Sequence, residues 1–229
     1  MTLIGFAFKI AAAPFHLWAP DAYQGAPIPS AAFIASGSKV ASFVVLGKIV
    51  LVGFGPVHGS AGMARDGCGL VAGLLAVLAA LSILIGNLVA LAQTNVRRLL
   101  AYSAVAHAGY TLLGLVAGSR DGFSATLFTR LFTQSRSSVR SESSRWCAAK
   151  LVATILKIFR TGRRAPLLAG CMAVFMLSLA GIPPLAGFFG KFYLFSAALR
   201  AGGNYGLLWL VALALFGSFC LALLLPDRA

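Results

Sequence analysis

The strongest constraint on this fold is an interrupted apolar stretch, LSLAGIPPLAGFFGKFYLF, which runs from Leu177 to Phe195. It is apolar enough to lie in lipid, but it contains Gly181, Pro183, Pro184 and then Lys191. Proline removes a backbone donor and clashes with the preceding turn, so a continuous helix is not expected here. Irregular backbone survives at membrane depth only where protein or a water-filled cavity satisfies it. The stretch therefore predicts a discontinuous helix, and its lysine predicts an ion or proton path.

The composition of the whole chain points to the same setting. Hydrophobic residues make up 59% of the 229 residues and charged residues only 10%, which excludes an ordinary soluble domain. The mean hydropathy is +0.90. Several apolar runs approach or exceed the roughly 20 residues that cross a bilayer as a helix. We therefore predict an all-α, polytopic membrane helical bundle with discontinuous transmembrane helices, in contact with the lipid bilayer.

The positive charge of the chain is concentrated in one segment. The net charge is +14, of which +8 lies between Arg130 and Arg164. No helix pattern or aromatic platform accompanies this charge, so we predict no nucleic-acid partner. The four cysteines show no metal-ligand spacing and are predicted to be apolar fillers: Cys68, Cys147, Cys171 and Cys220. The sequence thus predicts no metal site.

The remaining elements follow from the apolar runs and their breaks. The opening run, Met1–Trp18, is broken at Pro14, and Ala19–Pro29 is predicted to be a loop or re-entrant turn. Further helices are predicted at Ser30–Gly53, Cys68–Ala92, Leu99–Ala117 and Asn204–Leu225. After Gly118 the amino-acid composition changes, and serine, arginine and threonine dominate from Thr129 to Lys157. That segment predicts no membrane span.

Four motifs together resemble one family. They are FKIAAAPFHLWAPD (Phe8–Asp21), YQGAPIP (Tyr23–Pro29), SGSK (Ser36–Lys39) and QTNVRRLLAYSAVAHAGY (Gln93–Tyr110). The chain resembles subunit N of the proton-pumping NADH:quinone oxidoreductase, complex I, over about 3–128 and 163–219. Sister antiporter-like subunits and cation/proton antiporter subunits share the broken helices. The YQGAP motif followed by a helix bearing SK favours subunit N over them.

The resemblance implies a path of buried lysines. It implies that Lys9 lies on the first discontinuous helix, Lys39 on the next helix and Lys191 on the second discontinuous helix. In the family such lysines line a hydrophilic axis and relay protons, and His107 would bridge them through water. The alternative for a lysine near a helix end is snorkelling to the interface, which we expect of Lys48. Lys39 lies roughly 12 Å beyond Ala31 at 1.5 Å per residue, which is deep for snorkelling.

Other candidates have structural interpretations. A lone histidine often only satisfies a buried hydrogen bond, and this stays the alternative for His107. His16, beside Pro14, is expected to be structural or interfacial, and His58 is expected to lie in a loop. Asp21 is expected to cap or pair locally and is not assigned to the path.

The chain departs from the family at its beginning. The resemblance starts at the first broken helix, so the helices that precede it in the family are absent from this sequence. The glutamate that pairs in the family with the lysine matching Lys9 is absent with them. We therefore predict an incomplete antiporter-like fold, in which a lone Lys9 lacks the charge coupling of a switch.

The segment from Thr129 to Arg160 departs as well, because the family has a transmembrane helix and then an acidic loop there. One nucleotide inserted after Phe128 lets allowed codons read YTLVYAVA in place of TRLFTQSR, followed by GAFGVIALVRGEAGSDDLEDF. One nucleotide deleted at Phe219–Cys220 lets the tail read VSLYYYLIV. We predict reading-frame slips, the alternative being a divergent natural insertion and terminus. The chain then divides into antiporter-like helices at 1–128, an anomalous basic segment at 129–162, and at 163–229 the second broken helix with an aberrant tail.

The resemblance implies a subunit of an enzyme complex with no catalytic residue of its own. The chain has no G-x-G-x-x-G after a strand and no cysteine cluster, so it is expected to bind no cofactor. NADH, FMN, iron–sulfur clusters and quinone are expected in partner subunits of the membrane arm and beyond. The location implied is an energy-transducing membrane, such as a bacterial inner membrane. The alternatives are a cation/proton antiporter subunit or a truncated remnant that inserts but pumps nothing.

Overall fold

Every regular element that the structure describes is a helix. The computed structural model describes residues 1–53, 70–93, 96–131, 178, 186–201 and 211–215, and within these ranges no strand occurs. The helices are α1 (Thr2–Ile10), α2 (Trp18–Gly25), α3 (Ile28–Phe33), α4 (Lys39–Lys48), α5 (Leu70–Ala92), α6 (Val96–Val116), α7 (120–131), α8 (Ala186–Ala201) and α9 (211–215). Short π-helical turns, Ile34–Ser38 and Ile49–Gly53, follow α3 and α4.

Two of the described helices are long and apolar enough to cross a membrane, judged by length and composition. One span is Val71–Ala92 in α5, with a mean hydropathy of 2.6, and the other is Arg98–Val116 in α6, with 1.5. Their lengths match the roughly 20 residues that a bilayer core requires. The α6 span is less apolar because it carries polar residues, and it is also the more deeply buried of the two.

Glycine lets α5 and α6 approach closely. A Cβ added at Gly86 of α5 would lie 2.6 Å from the backbone nitrogen of Ala106 in α6. A Cβ added at Gly109 of α6 would lie 2.9 Å from the carbonyl oxygen of Ala79. Small residues at helix contacts allow backbones to pack closely in membranes, where van der Waals contact drives association. The two helices therefore form a tight antiparallel pair.

The α5–α6 pair is shared by both apolar cores of the described chain. The first core joins it to α1 and α4 through Ile10, Phe43, Leu46, Leu75, Ala79 and Leu112. The second joins it to α7, α8 and α9 through Ile83, Leu113, Ala125, Leu194, Ala198 and Ala214. Helix α6 thus lies between the two groups of elements and contacts both.

A non-helical interval separates α1 from α2. Helix α1 ends at Ile10, Ala11 takes a left-handed conformation with φ 61°, and Pro14 follows a cis peptide bond. The backbone nitrogen of Ala12 donates to the carbonyl of Ala7 at 2.8 Å, and that of Ala13 donates to Ser82 Oγ at 2.9 Å. Protein groups therefore satisfy this buried irregular backbone, as lipid surroundings would require.

Some boundaries differ from the sequence-based expectation. Helix α2 occupies Trp18–Gly25, where a loop or turn was expected from Ala19 onward. Its Pro20 falls in the first turn, where proline is tolerated because the backbone N–H groups have no intrahelical partner. Helix α7 continues past Thr129 to residue 131, so helical structure reaches into the anomalous segment.

Other expected elements lie outside the described residues. These are the helix-breaking residues Gly181, Pro183 and Pro184, the basic segment from 132 to 162, and the aberrant tail from Cys220. Only 211–215 of the predicted last span, Asn204–Leu225, is described, and it is helical.

Candidate functional site

Lys39 lies in the interior of the bundle. Its residue is 2% exposed, and it begins α4 directly after the π-helical turn Ile34–Ser38. The ammonium nitrogen lies 5.4 Å from the ring centroid of Tyr23 on α2, an arrangement in which the ring face attracts the cation. Within the described residues, Lys39 Nζ has no hydrogen-bond partner. Among the described residues, the contact that faces the Lys39 ammonium is therefore the ring of Tyr23.

Arg130 on α7 connects α4 to α6. Its Nε and Nη2 donate to Thr111 Oγ1 at 3.1 and 2.7 Å, and Nη2 also donates to the carbonyl of His107 at 3.4 Å. The guanidinium carbon lies 4.0 Å from the ring centroid of Phe43. Phe43 follows Lys39 by one helical turn on the same face of α4. The Arg130 side chain is therefore held between the lysine-bearing helix and α6.

Lys191 on α8 approaches α6 from the other side. It is 7% exposed, and its Nζ lies 5.2 Å from the ring centroid of Tyr110. The Tyr110 hydroxyl accepts a hydrogen bond from Asn87 Nδ2 at 3.0 Å, and the same amide donates to the Ile83 carbonyl at 2.8 Å. Polar contact thus runs from α8 through α6 to α5.

These residues lie in the interior of the bundle, and we call them the interior polar row; Phe43, which contacts Arg130, connects the Lys39 end of the row to the rest. The row comprises Tyr23, Lys39, Arg130, Thr111, His107, Tyr110, Asn87 and Lys191. The row contains three cationic side chains and no carboxylate. Among the described residues the acidic side chains are Asp21 and Asp121, and both are exposed. The row can therefore bind anions or exchange protons on nitrogen, but it offers no acidic partner of its own.

The structure places the residues predicted from the sequence in different surroundings. Lys39 and Lys191 both belong to the row, at its two ends. His107 contributes its carbonyl, and its ring lies edge-on to Tyr110 with centroids 5.6 Å apart. Lys9 lies exposed in the last turn of α1, and Lys48 is exposed near the end of α4.

Two further predicted residues occupy structural positions. His16 is buried in the interval between α1 and α2, and its ring lies edge-on to Tyr102 with centroids 6.0 Å apart. Asp21 accepts a hydrogen bond from Arg98 Nη2 at 2.7 Å, while Arg98 Nε donates to Gln24 at 2.7 Å. This pair ties the first turn of α6 to α2. Asp21 was expected to cap or pair locally, whereas the structure pairs it with a residue 77 positions away.

Sequence reasoning did not assign Tyr23, Arg130, Thr111 or Asn87 to the site. Asn87 gave a detectable signal, because it is one of two polar residues in an apolar span. Arg130 gave no such signal in the sequence, because it lies in the basic segment that did not match the family. No group of three or more His, Cys, Asp or Glu residues that could hold a metal occurs in the described part of the chain.

Comparison with known proteins identifies a family match over most of the chain. Residues 1–219 match the family model described as NADH:quinone oxidoreductase/Mrp antiporter, transmembrane. The chain is 50% identical over 219 residues to NADH-quinone oxidoreductase subunit N 2 of Acidobacterium capsulatum, covering 95% of this chain and 44% of that protein. It is 42% identical over 225 residues to subunit N of Trichlorobacter lovleyi, covering 95% and 42%. The chain thus spans less than half the length of these curated relatives.

Solved structures share the fold. A chain of respiratory complex I from Thermus thermophilus is similar with a TM-score of 0.70 and 36% identity, covering 97% of this chain and 47% of that one. A chain of an archaeal membrane-bound sulfane sulfur reductase is similar with a TM-score of 0.78 and 27% identity, covering 96% and 43%. A chain of the Mrp complex from Dietzia has a TM-score of 0.77 at 24% identity, covering 97% and 39%, and this likeness concerns the fold alone. The resemblance to subunit N and the membrane helical, antiporter-like fold predicted from the motifs are therefore confirmed.

Proposed function

Because the chain belongs to the NADH:quinone oxidoreductase/Mrp antiporter transmembrane family, we propose that it serves as a proton-translocating membrane-arm subunit of a respiratory NADH:quinone oxidoreductase. Its partners would be the other membrane-arm subunits, and the site would lie in a bacterial inner membrane. NADH, FMN, iron–sulfur clusters and quinone would be held by those partners, with no cofactor on this chain. The names of its subunit N relatives support this assignment.

One observation carries the proposal: two buried lysines, Lys39 and Lys191, stand at the two ends of one row of polar side chains. The ammonium and amine forms of a buried lysine respond differently to hydration and to neighbouring charge. The nitrogen therefore gains or loses a proton when either changes. Ionisable residues inside membrane bundles mark such paths. In this proposal Lys39 and Lys191 hold the transferred proton, and Tyr110 and His107 lie between them.

The proposal is tested by NADH-driven proton uptake in membrane vesicles, with this chain replacing the resident subunit N. We expect Lys39→Met and Lys191→Met each to lower the initial rate of acidification several-fold. Lys48→Met is the matched control, because Lys48 is exposed on the same helix as Lys39. Unchanged pumping in both interior variants would contradict a path through the row. Lys9→Met is expected to have the smaller effect, because Lys9 is exposed.

Cation/proton exchange is a second candidate, supported by the family model, whose description covers both NADH:quinone oxidoreductase and Mrp antiporter subunits. An exchanger would acidify vesicles when a sodium gradient is imposed without NADH, and both interior variants would abolish that activity. A remnant without transport function would insert into the membrane, but its vesicles would acidify neither with NADH nor with a sodium gradient. The same vesicle preparation therefore separates the three possibilities.

A further inference from the structure

The described interior carries more positive charge than its neighbours compensate. Arg130 is 6% exposed, and it donates hydrogen bonds to neutral oxygens of Thr111 and His107. Lys39 is buried more deeply still. Buried charges are normally paired, because an uncompensated charge in low dielectric is costly. The described residues supply no carboxylate to this part of the bundle, so among them Lys39 and Arg130 have no acidic partner.

Two buried polar atoms on α2 and α4 also lack partners among the described residues. Lys39 Nζ and Tyr23 Oη are both buried and make no hydrogen bond within the described residues. Buried polar atoms nearly always have a partner in protein or water. The Tyr23 ring lies 5.4 Å from Lys39 Nζ, and the Arg130 guanidinium carbon lies 4.0 Å from the ring of Phe43, one turn after Lys39 on the same face of α4. Unused donors and an unbalanced cation therefore occur at the same place, between α2, α4 and α7.

We propose that Tyr23, Lys39 and Arg130 form a binding site for one small monovalent anion, of which chloride is the test case. Lysine provides a compact charge with three donors, the tyrosine hydroxyl provides one more, and the guanidinium provides a second charge. A small single charge suits this place, since a bulky divalent anion would lose far more hydration energy on burial. The site extends beyond proton translocation, because it requires no proton to move.

Bound anion would change two properties of the bundle. It would offset the repulsion between Lys39 and Arg130, which lie on neighbouring helices. It would also stabilise the folded chain by mass action, because the three side chains come together only in the folded state. Chloride should therefore raise the thermal unfolding midpoint above that in gluconate of equal ionic strength.

The direct test measures radiolabelled chloride on the purified full chain in lipid nanodiscs, by scintillation proximity in a gluconate background. We expect saturable binding that unlabelled chloride and bromide displace. Lys39→Met and Arg130→Met should each weaken binding by more than about tenfold, a loss of about 1.4 kcal/mol. Lys48→Met should bind as the wild type does, because it removes an exposed lysine from the same helix. Tyr23→Phe should give a smaller loss, because only one donor is removed.

The wild-type chain alone can overturn the proposal. Absence of saturable chloride binding, together with an unfolding midpoint that chloride does not raise, would do so even if a variant fails to fold. Equal loss in Lys48→Met would also overturn it, since the effect would then be one of net charge. A wild-type chain that binds chloride but supports no NADH-driven pumping would count against the proposed function alone.

Discussion

At Ser82 one hydroxyl makes two hydrogen bonds. It donates to the carbonyl of Leu78, one turn earlier on α5, at 2.6 Å. It also accepts from the backbone nitrogen of Ala13 at 2.9 Å, across the bundle in the interval between α1 and α2. A side chain on one helix thus satisfies irregular backbone that the broken helix cannot satisfy itself.

Ser82→Ala is expected to lower the free energy of unfolding by about 1–3 kcal/mol, because the Ala13 amide would remain buried without an acceptor. Unfolding in mixed micelles as the SDS fraction rises would measure the change. Ser124→Ala is the control, because Ser124 is exposed on α7 and its hydroxyl bonds only to the nearby Asp121 carbonyl. Equal effects of the two substitutions would mean that the Ala13 bond contributes nothing.

The Asp21–Arg98 pair is expected to contribute little to stability. Its side chains are 72% and 43% exposed, so solvent screens the attraction. Asp21→Asn should therefore change the free energy of unfolding by less than about 1 kcal/mol, the range of exposed ion pairs. A double-mutant cycle with Arg98→Gln in the same unfolding assay would measure the coupling. A coupling well above that range would show that the pair is better shielded than its exposure indicates.

Residues of the site differ in how far the sequence could specify them. The depth of Lys39 follows from its position in a long apolar run, and the structure buries it as that position indicates. The ring of Tyr23 over Lys39 and the guanidinium of Arg130 over Phe43 depend on tertiary packing. No spacing rule along a single helix connects residues 23, 39 and 130. Their grouping therefore required the fold.

Among the elements, the α5–α6 pair gives the sharpest prediction. Gly86→Ala should lower the free energy of unfolding by about 1–3 kcal/mol, the usual cost of overpacking, because its Cβ would meet the Ala106 backbone at 2.6 Å. Backbone atoms cannot rotate away as a flexible side chain can. The expected result is a lower SDS fraction at the unfolding midpoint.

Gly73→Ala on the same helix is the matched control for this prediction. A Cβ at Gly73 meets nothing within 4 Å. Alanine in a helix interior is favoured over glycine by roughly 0.5–1 kcal/mol, so this substitution should stabilise the chain. Two glycine-to-alanine changes on one helix are therefore expected to have opposite signs. The same sign in both would contradict the close α5–α6 approach.

Elements were predictable where apolar runs are long. The predicted Cys68–Ala92 and Leu99–Ala117 correspond closely to α5 and α6. Helix α2 was missed because Pro, Gly and Asp in the sequence suggest a loop, and the tolerance of Pro20 depends on its place in the first turn. Helix α7 was missed because a change of composition after Gly118 obscured it. Local rules therefore failed where helix ends and composition shifts coincide.

For the whole molecule, the reading-frame hypothesis yields a direct prediction. Replacing TRLFTQSR (129–136) by YTLVYAVA, and the later shifted segment by its alternative reading, should raise the fraction of chain assembled with partner subunits. The physical reason is that an apolar helix and a soluble acidic loop replace a serine- and arginine-rich segment. Native gels of solubilised membranes would measure assembly.

A scrambled version of the replacement segment provides the control for composition. If the scrambled and ordered replacements assemble equally well, the order of residues in the alternative reading carries no information, and the hypothesis fails at the protein level. The replacement also substitutes Arg130 by Thr, so it should remove chloride binding at the same time. Assembly and anion binding would then change in opposite directions.

For the whole molecule, the apolar content of the sequence was sufficient to predict a helical membrane protein, and four motifs were sufficient to predict the family. The helical membrane fold and the resemblance to subunit N were predicted and are confirmed. The meeting of α1, α4, α7 and α8 on one central helix was not predictable, because it depends on contacts between residues far apart in sequence. The lysine path and the frame slips remain predictions.

The tight α5–α6 pair also bears on how the bundle is assembled in time. Only residues 93–95 separate the two helices, so closing them costs little chain entropy. Contacts between sequence neighbours form faster than contacts between distant elements. We expect the hairpin to form first in the membrane, as the template on which α1–α4 and then α7–α8 dock. The contacts of the interior polar row would then form in order. The Asn87–Tyr110 hydrogen bond within the hairpin would form first, and the contacts of Lys39 and Lys191 would follow as their helices dock.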